Sequence, residues 1–170
     1  MAELLAVRGG RPVRTAPFPA WPIFGEAEEQ ALARVLRSGK WGRTAGNEVA
    51  QFEQRFAEYH QAKHGIAMVN GTVALHLAMV AAGIQAGDEV IVPPYTFLAT
   101  ASAVVECNAV PVFADLELET SNLDPASIEA YITPRTRFII PVHLAGLPCD
   151  MRRIMDLAAK HKLTVIEDAC

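Results

Sequence analysis

The chain has 170 residues, of which 51% are hydrophobic and 20% are charged, a composition that suits one globular domain better than two. Its formal net charge of −4 argues against binding to nucleic acid or to an anionic membrane, since either would favour a basic excess. The longest wholly apolar run, Leu77–Ala82, is far shorter than the roughly 20 residues of a membrane span.

The first part of the sequence predicts an arm followed by two helices. Residues 1–24 contain four prolines and three aromatic residues, so we expect an extended N-terminal arm whose rings pack against another surface. Residues 26–37 carry apolar side chains at helical spacing, and a second amphipathic helix begins near residue 49. The loop between these two helices contains Trp41 and Arg43.

From residue 66 onward, short apolar runs alternate with helical segments. Strands that are apolar on both faces and alternate with helices form parallel sheets covered on both sides. We therefore predict an α/β fold with three layers and a mainly parallel sheet. The predicted strands are 66–69, 89–92, 110–113, 138–142 and 163–167, and the helices between them begin at Thr72, Phe97, Pro125 and Met151.

Polar residues follow several of these strands, where an open parallel sheet binds its ligands. Asn70-Gly71-Thr72 opens a helix directly after the first predicted strand. Free N–H groups, the helix dipole and the threonine hydroxyl at such a position favour an anion such as phosphate. An ordinary strand-to-helix turn produces the same short pattern, so the pattern alone leaves both interpretations open.

Asp168 follows an apolar strand, which places its carboxylate in a crevice of low dielectric constant. A buried carboxylate needs a cationic or hydrogen-bonding partner, and a protonated pyridine nitrogen is such a partner in pyridoxal-phosphate (PLP) enzymes. A helix N-cap aspartate fits the position equally well. Phe97 fits either a ring-stacking role or core packing, and His143 fits either a ligand contact or a structural role.

Other reactive residues predict no metal or disulfide chemistry. His60 and His64 are four residues apart, but a predicted strand begins immediately after them and no third ligand is evident. The three cysteines are scattered, without a Cys-x-x-Cys spacing, and residues 1–14 lack the apolar core of a secretory signal. We therefore expect a cytoplasmic protein with reduced thiols and no metal.

Several motifs, in order, resemble the DegT/DnrJ/StrS family of aminotransferases over about Trp21 to Cys170. The resemblance implies a PLP enzyme of fold type I, a group that mostly aminates keto-sugars on nucleotide carriers. The motifs that carry the resemblance are Asn70-Gly71-Thr72, Gly87-Asp88-Glu89, Thr96-Phe97-x-Ala99-Thr100, Asn122-Leu123-Asp124-Pro125, Pro141-Val142-His143-Leu144 and Ile166-Glu167-Asp168-Ala169.

The resemblance also implies roles for individual residues. Gly71 and Thr72 would bind the cofactor phosphate, and Phe97 would stack on the pyridine ring. Asp168 would pair with the ring nitrogen and keep it protonated, which is its catalytic role. His143 lies in a motif near the site and is a further cofactor-binding candidate.

Departures from the family pattern bear on the substrate. The segment around Trp41 and Arg43 is closer to members that act on cyclitols or make 3-amino-5-hydroxybenzoate, and a frequent tyrosine is replaced by Ala145. The resemblance thus implies a small-molecule amino donor and a keto-sugar or keto-cyclitol acceptor, with Trp41 and Arg43 as substrate-binding candidates. A 3-amino-5-hydroxybenzoate synthase-like enzyme is an alternative.

The Schiff-base lysine that such an enzyme needs is not expected in this chain. Lys160 and Lys162 precede the last predicted strand, about 17 Å from its cofactor end, and Lys63 has the same problem at the first strand. Nothing rigid would aim Lys40, and the family lysine lies downstream of residue 169. We expect residues 25–170 to be the N-terminal part of a PLP-binding large domain, without its remaining strands and small C-terminal domain, and inactive alone.

The sequence leaves two other functions open. Some relatives carry histidine in place of the lysine and act as sugar dehydratases, and the deciding position is not in the chain. A non-catalytic binding or regulatory domain could also keep the fold. Fold-type-I enzymes generally work as dimers, so the resemblance implies a homodimer for the complete protein.

Overall fold

A computed structural model describes residues 4–170, which divide into two compact units with the boundary after Gly65. The first unit contains a short 3-10 helix at Ala6–Arg8 and two α-helices, α1 (Glu26–Ser38) and α2 (Glu48–Tyr59). Both predicted helices are therefore confirmed. The Gly25 N–H donates to the Glu28 carboxylate at 2.8 Å, which caps the start of α1.

The aromatic residues of the predicted arm, Phe18, Trp21 and Phe24, are exposed in the first unit. Arg14 lies over the Phe18 ring at 4.4 Å from its centroid, and the Arg14 guanidinium also donates to two nearby backbone carbonyls. These contacts are local to the segment. The expectation that the rings pack against another surface therefore stays a prediction.

The second unit, Ile66–Cys170, contains a four-stranded parallel sheet with the strand order β2-β1-β3-β4. The strands β1 and β2 have the predicted bounds, whereas β3 and β4 are shorter or shifted. The four strands are β1 (Glu89–Val92), β2 (Val110–Phe113), β3 (Thr136–Ile139) and β4 (Thr164–Val165). Four helices accompany them: α3 (Gly71–Ala81), α4 (Ala99–Glu106), α5 (Pro125–Ile128) and α6 (Met151–His161).

The predicted first strand, residues 66–69, is wrong as a strand in this structure. The segment has no strand assignment, and the side chains of Ile66 and Val69 are exposed. A strand needs a neighbour to take up its backbone hydrogen bonds, and within residues 4–170 no strand pairs with this segment. Its apolar sequence alone is not sufficient to make it a strand.

Helices cover both faces of the sheet, which confirms the three-layer α/β fold. In β1, Val90 and Val92 point to one face and Ile91 points to the other, as the twofold period of a strand requires. On the first face a core forms with α3 and α4, from Leu75, Met79, Val90, Val92, Ala103, Val104, Phe138 and Ile140. On the second face a core forms with α5 and α6, from Ile91, Leu123, Ile128, Ile139, Ile154 and Ala158.

A buried acidic residue holds the amino end of the sheet. Glu89 is 4% exposed, and its carboxylate accepts hydrogen bonds from the hydroxyls of Thr133 and Thr136 and from Arg135. The Thr133 hydrogen bond, supported by Arg135 and Thr136, holds the pKa of Glu89 below its ordinary value, although burial opposes this shift. The network joins β1 to the segment that leads into β3.

No helix within residues 4–170 has the length and apolar character needed to cross a membrane. The three cysteines are all free thiols. Burial raises the pKa of the Cys149 thiol, which donates to the Val142 carbonyl at 3.2 Å. Cys149 therefore behaves as a neutral, structural residue of the second core.

Candidate functional site

A cavity of about 320 Å³ lies at the carboxyl edge of the sheet, within the second unit. In the sheet, β2 lies on one side of β1, whereas β3 and then β4 lie on its other side. The strand order therefore changes direction between β1 and β3. Open α/β sheets bind ligands at such a point. The cavity is lined by Asn70, Gly71, Thr72, Leu75, Thr96, Phe97, Ala99, Val142, His143, Leu144, Ala145, Asp168 and Cys170.

All five residues that the sequence predicted for a cofactor line this one cavity. They come from segments that are far apart along the chain, and the carboxyl ends of parallel strands bring them to one edge. Their individual roles stay predictions. The five residues are Gly71, Thr72, Phe97, His143 and Asp168.

The start of α3 presents unpaired backbone donors to the cavity. Asn70 caps the helix, because its side-chain oxygen accepts a hydrogen bond from the Val73 N–H at 2.9 Å. The N–H groups of Gly71 and Thr72 and the Thr72 hydroxyl have no acceptor within residues 4–170. A Cβ added to Gly71 would lie 3.5 Å from the Cys170 sulfur, which is an ordinary contact. This end of the helix can therefore bind an anion.

Asp168 is fixed at the cavity wall by its backbone and by its side chain. Its N–H donates to the Pro141 carbonyl at 2.9 Å, and its carbonyl accepts from the His143 N–H at 3.0 Å, which extends the β3–β4 ladder. One carboxylate oxygen accepts from the Thr100 hydroxyl at 2.8 Å, and the other accepts from the Cys170 N–H at 3.3 Å. The residue is only 9% exposed.

Asp168 has no cationic partner in the described part of the chain. None of the ion pairs among residues 4–170 involves it. A buried carboxylate that borders a cavity and has only neutral donors can accept a further hydrogen bond from a cationic ligand. The electrostatics of the cavity therefore favour a cation at Asp168.

The alternation of side chains after β4 directs Asp168 into the cavity. Ile166 packs against the first core, Asp168 meets Thr100 on α4, and the Cys170 sulfur lies beside Gly71 on α3. These three residues are two apart, so they share one face of the extended chain. Glu167 lies between them and bonds to His143 instead.

His143 uses both of its ring nitrogens within the fold. The Cys149 N–H donates to Nδ1 at 3.2 Å, so Nδ1 is an acceptor and carries no proton. The proton is therefore on Nε2, which donates to the Glu167 carboxylate at 2.9 Å. This arrangement assigns His143 a neutral, fixed ring at the cavity wall, and it leaves neither nitrogen lone pair available as a base.

Phe97 is 81% exposed, so its ring is not part of either core. The helix α4 begins at Ala99, two residues later than predicted, and the Thr100 N–H donates to the Phe97 carbonyl at 3.1 Å. The core-packing interpretation of Phe97 is thus wrong in this structure. The exposed ring beside the cavity is free to cover a planar ligand.

Trp41 and Arg43 lie in the first unit, where both make internal contacts. The Trp41 indole N–H donates to the Leu36 carbonyl at 3.2 Å. The Arg43 guanidinium pairs with the buried Glu53 carboxylate at 2.8 Å, and this contact raises the pKa of Arg43. Their part in substrate binding stays a prediction.

Three residues that support the site stand in the motifs of the family resemblance, but the sequence reasoning assigned no role to any of them. Thr100 holds the Asp168 carboxylate and Glu167 holds the His143 ring. Asn122 is 2% exposed; its amide nitrogen donates to the Leu147 carbonyl at 3.0 Å, and its oxygen accepts from the Leu144 N–H at 3.2 Å. Their places in those motifs, and the four-residue spacing of Thr96 and Thr100, were the signals along the sequence.

We expect the Asn122→Ala variant to loosen the cavity wall at residues 144–147. The substitution removes both bonds that Asn122 makes to the wall, so that the Leu144 N–H keeps only the Val142 carbonyl as an acceptor among residues 4–170; we expect a loss of about 1 kcal/mol, or roughly fivefold in local opening. Amide hydrogen exchange at Leu144 should become faster by that factor. Exchange at Ile91, in the middle of β1, is the internal control, and equal acceleration at both amides would contradict a local role.

Comparisons with known proteins agree with this architecture. The model of the DegT/DnrJ/EryC1/StrS aminotransferase family matches residues 22–170. L-Glutamine:2-deoxy-scyllo-inosose aminotransferase of Streptomyces kanamyceticus is 47% identical over 169 residues, covering 96% of this chain and 40% of that protein. The solved structure of 3-amino-5-hydroxybenzoic acid (AHBA) synthase is similar with a TM-score of 0.89 at 43% identity, covering 92% of this chain and 41% of that one.

A second solved structure is NtdA from Bacillus subtilis with bound cofactor PMP, which has a TM-score of 0.84 at 39% identity and covers 94% of this chain and 38% of that one. The chain thus spans about 40% of the length of the relatives it matches. The family match extends over most of the sequence, and the fold agrees at high sequence identity. The chain belongs to the DegT/DnrJ/EryC1/StrS aminotransferase family.

Proposed function

We propose that this chain forms the noncovalent part of a PLP site in an enzyme that transfers an amino group to a keto-cyclitol or keto-sugar. The observation that carries the proposal is the Asp168 carboxylate, which is buried at the cavity wall and has no cationic partner within residues 4–170. Membership of an aminotransferase family supports it. The amino donor would be a small molecule, and the complete protein would be a cytoplasmic homodimer.

The cavity fits both charged ends of the cofactor. The unpaired N–H groups of Gly71 and Thr72, with the Thr72 hydroxyl and the α3 dipole, suit a phosphate. At the other end, Asp168 suits a protonated ring nitrogen. Phe97 offers an exposed aromatic face to the ring between these ends.

When bound, PLP would withdraw electrons from the carbon that loses its proton during amino transfer. Asp168 would serve this chemistry by holding a proton on the ring nitrogen. His143 would support Asp168 through the backbone hydrogen bond between the two residues and through the Glu167 side chain. Since both of its ring nitrogens are already used, proton transfer to substrate is not assigned to His143.

The second unit offers no lysine to the cavity. Lys160 lies in the last turn of α6 and Lys162 follows that helix, so both precede β4 at its amino end. Covalent attachment of PLP is therefore not assigned to this unit. Pyridoxamine phosphate (PMP) needs no lysine for binding, which makes it the appropriate probe for these residues.

The acceptor is proposed from two relatives. One is named as an aminotransferase of 2-deoxy-scyllo-inosose, and the other as a synthase of 3-amino-5-hydroxybenzoic acid. Both names describe six-membered carbocycles rather than nucleotide-linked sugars, which favours a keto-cyclitol. A synthase of an aminated aromatic ring is the second candidate, and it is supported by the similarity in fold.

The binding test is a titration of the chain with PMP, followed by the fluorescence of the pyridine ring or by calorimetry. We expect saturable binding at one site per chain. Pyridoxamine without its phosphate should bind at least about tenfold more weakly, because it loses the contacts at the start of α3. Absence of PMP binding by the folded chain would remove the cofactor proposal.

The amino-transfer test uses the protein that carries this chain, loaded with PLP. L-Glutamine and a keto-inositol are offered as donor and acceptor, and formation of the aminocyclitol is measured by mass spectrometry. A protein that binds PMP but aminates neither a keto-cyclitol nor a keto-sugar would retain the cofactor site and lose the proposed reaction.

A further inference from the structure

Two threonine hydroxyls form a hydrogen-bonded chain that ends at Asp168. The Thr96 and Thr100 oxygens are 2.9 Å apart, and the Thr100 hydroxyl lies 2.8 Å from the Asp168 carboxylate. Thr96 lines the cavity and is half-buried, whereas Thr100 is 0% exposed. The chain of hydroxyls therefore runs from the cavity to a fully buried position beneath it.

The direction of both hydrogen bonds follows from the chemistry of the groups. An ionised carboxylate only accepts hydrogen bonds, so the Thr100 hydroxyl donates to Asp168. A hydroxyl has a single proton, so the Thr100 oxygen must accept in its contact with Thr96. The Thr96 hydroxyl thus donates to the Thr100 oxygen and fixes the orientation of the Thr100 hydroxyl, which in turn fixes the Asp168 carboxylate.

Burial makes the Thr100 contact hard to replace. Water has no access to the Thr100 hydroxyl, and among residues 4–170 the only other donor to the carboxylate is the Cys170 N–H, at the longer distance of 3.3 Å. Loss of the hydroxyl would leave one buried carboxylate oxygen without a donor. It would also free the carboxylate to rotate away from the cavity.

We propose that Thr100 is a positioning residue that orients the Asp168 carboxylate toward the ring nitrogen of the bound cofactor, with Thr96 as its support. The inference rests on the proposed PLP site. Thr100 itself touches neither cofactor nor substrate in this role. Its effect is exerted through Asp168 and should appear at the ring nitrogen.

The test compares PMP binding by the chain and by its Thr100→Val and Thr100→Ser variants. Valine keeps the shape and removes the hydroxyl, so we expect binding about tenfold weaker; serine keeps the hydroxyl and should stay within about twofold of wild type. NMR of PMP labelled with ¹⁵N at the ring adds a readout that packing alone would not move. The bound nitrogen should lose protonated character in Thr100→Val and keep it in Thr100→Ser.

Thr136→Val is the matched control, because Thr136 is also buried but bonds to Glu89 at the opposite end of the sheet. It should bind PMP like wild type. If Thr100→Val does not fold, Thr96→Val gives a second measure, because Thr96 is the half-buried member of the hydroxyl pair. We expect this variant to bind PMP about threefold more weakly than wild type.

The outcomes separate the two proposals. If the folded wild-type chain does not bind PMP, the proposed function fails. If wild type binds and Thr100→Val binds equally well with an unchanged ¹⁵N signal, the positioning role is overturned. Equal losses in the valine and serine variants would also overturn it, since the methyl group rather than the hydroxyl would then be responsible.

Discussion

The Asp168→Asn variant is expected to bind PMP about thirty- to several-thousandfold more weakly than wild type. Removing the charge from one partner of a buried, hydrogen-bonded ion pair costs about 2–5 kcal/mol, and each 1.4 kcal/mol is roughly a factor of ten in affinity. Asparagine has the same shape and can still accept the Thr100 hydrogen bond. The loss should therefore appear in binding, while the fold is retained.

The matched control for this experiment is Asp150→Asn. Asp150 caps α6 by accepting a hydrogen bond from the Arg153 N–H at 3.1 Å, and asparagine caps helices as well as aspartate does. Both variants should keep the circular-dichroism spectrum of wild type. If Asp168→Asn bound PMP as tightly as Asp150→Asn, the pairing of Asp168 with the ring nitrogen would be refuted.

The Glu89→Leu variant is expected to lose about 1–3 kcal/mol of unfolding free energy, measured by urea denaturation at neutral pH. Leucine leaves the Thr133 and Thr136 hydroxyls without their acceptor in the buried network. The Arg135 side chain is 69% exposed, so its charge stays in water and adds little to the loss. The hydroxyl contacts thus set the size of the effect.

The same network makes stability depend on pH. The folded-state pKa of Glu89 lies below the ordinary value of 4.5, mainly through the Thr133 hydrogen bond. As pH falls, Glu89 is therefore protonated in the unfolded chain before it is protonated in the folded one. The contribution of ionised Glu89 to the free energy of unfolding is present above pH 4.5 and is lost as pH falls through the folded pKa.

Glu89→Gln isolates the charge of this network. Wild type should exceed Glu89→Gln in stability at neutral pH, and the difference should shrink as the solution becomes acidic. Glu119→Gln, at an exposed position, is the control and should show no such convergence. A constant difference between wild type and Glu89→Gln over the whole range would contradict the lowered pKa.

The sequence was most informative where one local signal was enough. The apolar run between Glu89 and Pro93 predicted β1, and Gly71 and Asp168 were found because strand ends mark binding edges. The prediction of a strand at 66–69 was wrong because this apolar run has no pairing neighbour among residues 4–170. Strand formation depends on that neighbour as much as on composition.

The contacts of the supporting residues could not be predicted for a related reason. Thr100 meets Asp168 across 68 positions of sequence, and Glu167 meets His143 across 24. Asn122 reaches Leu147 across 25 positions. No pattern along the chain marks such pairs, because they form only when the strands and helices are already in register.

The ladder between β3 and β4 has a consequence for insertions and deletions. Asp168 faces Thr100 because it is two residues beyond Ile166, and the hydrogen bonds to Pro141 and His143 fix this phase. Deleting one residue between Val165 and Asp168 would turn the carboxylate to the α6 side of the sheet, although every side chain of the site would still be encoded. The length of this short segment is therefore under the same constraint as the aspartate itself, and a sequence that keeps the residue but changes the spacing has lost the site.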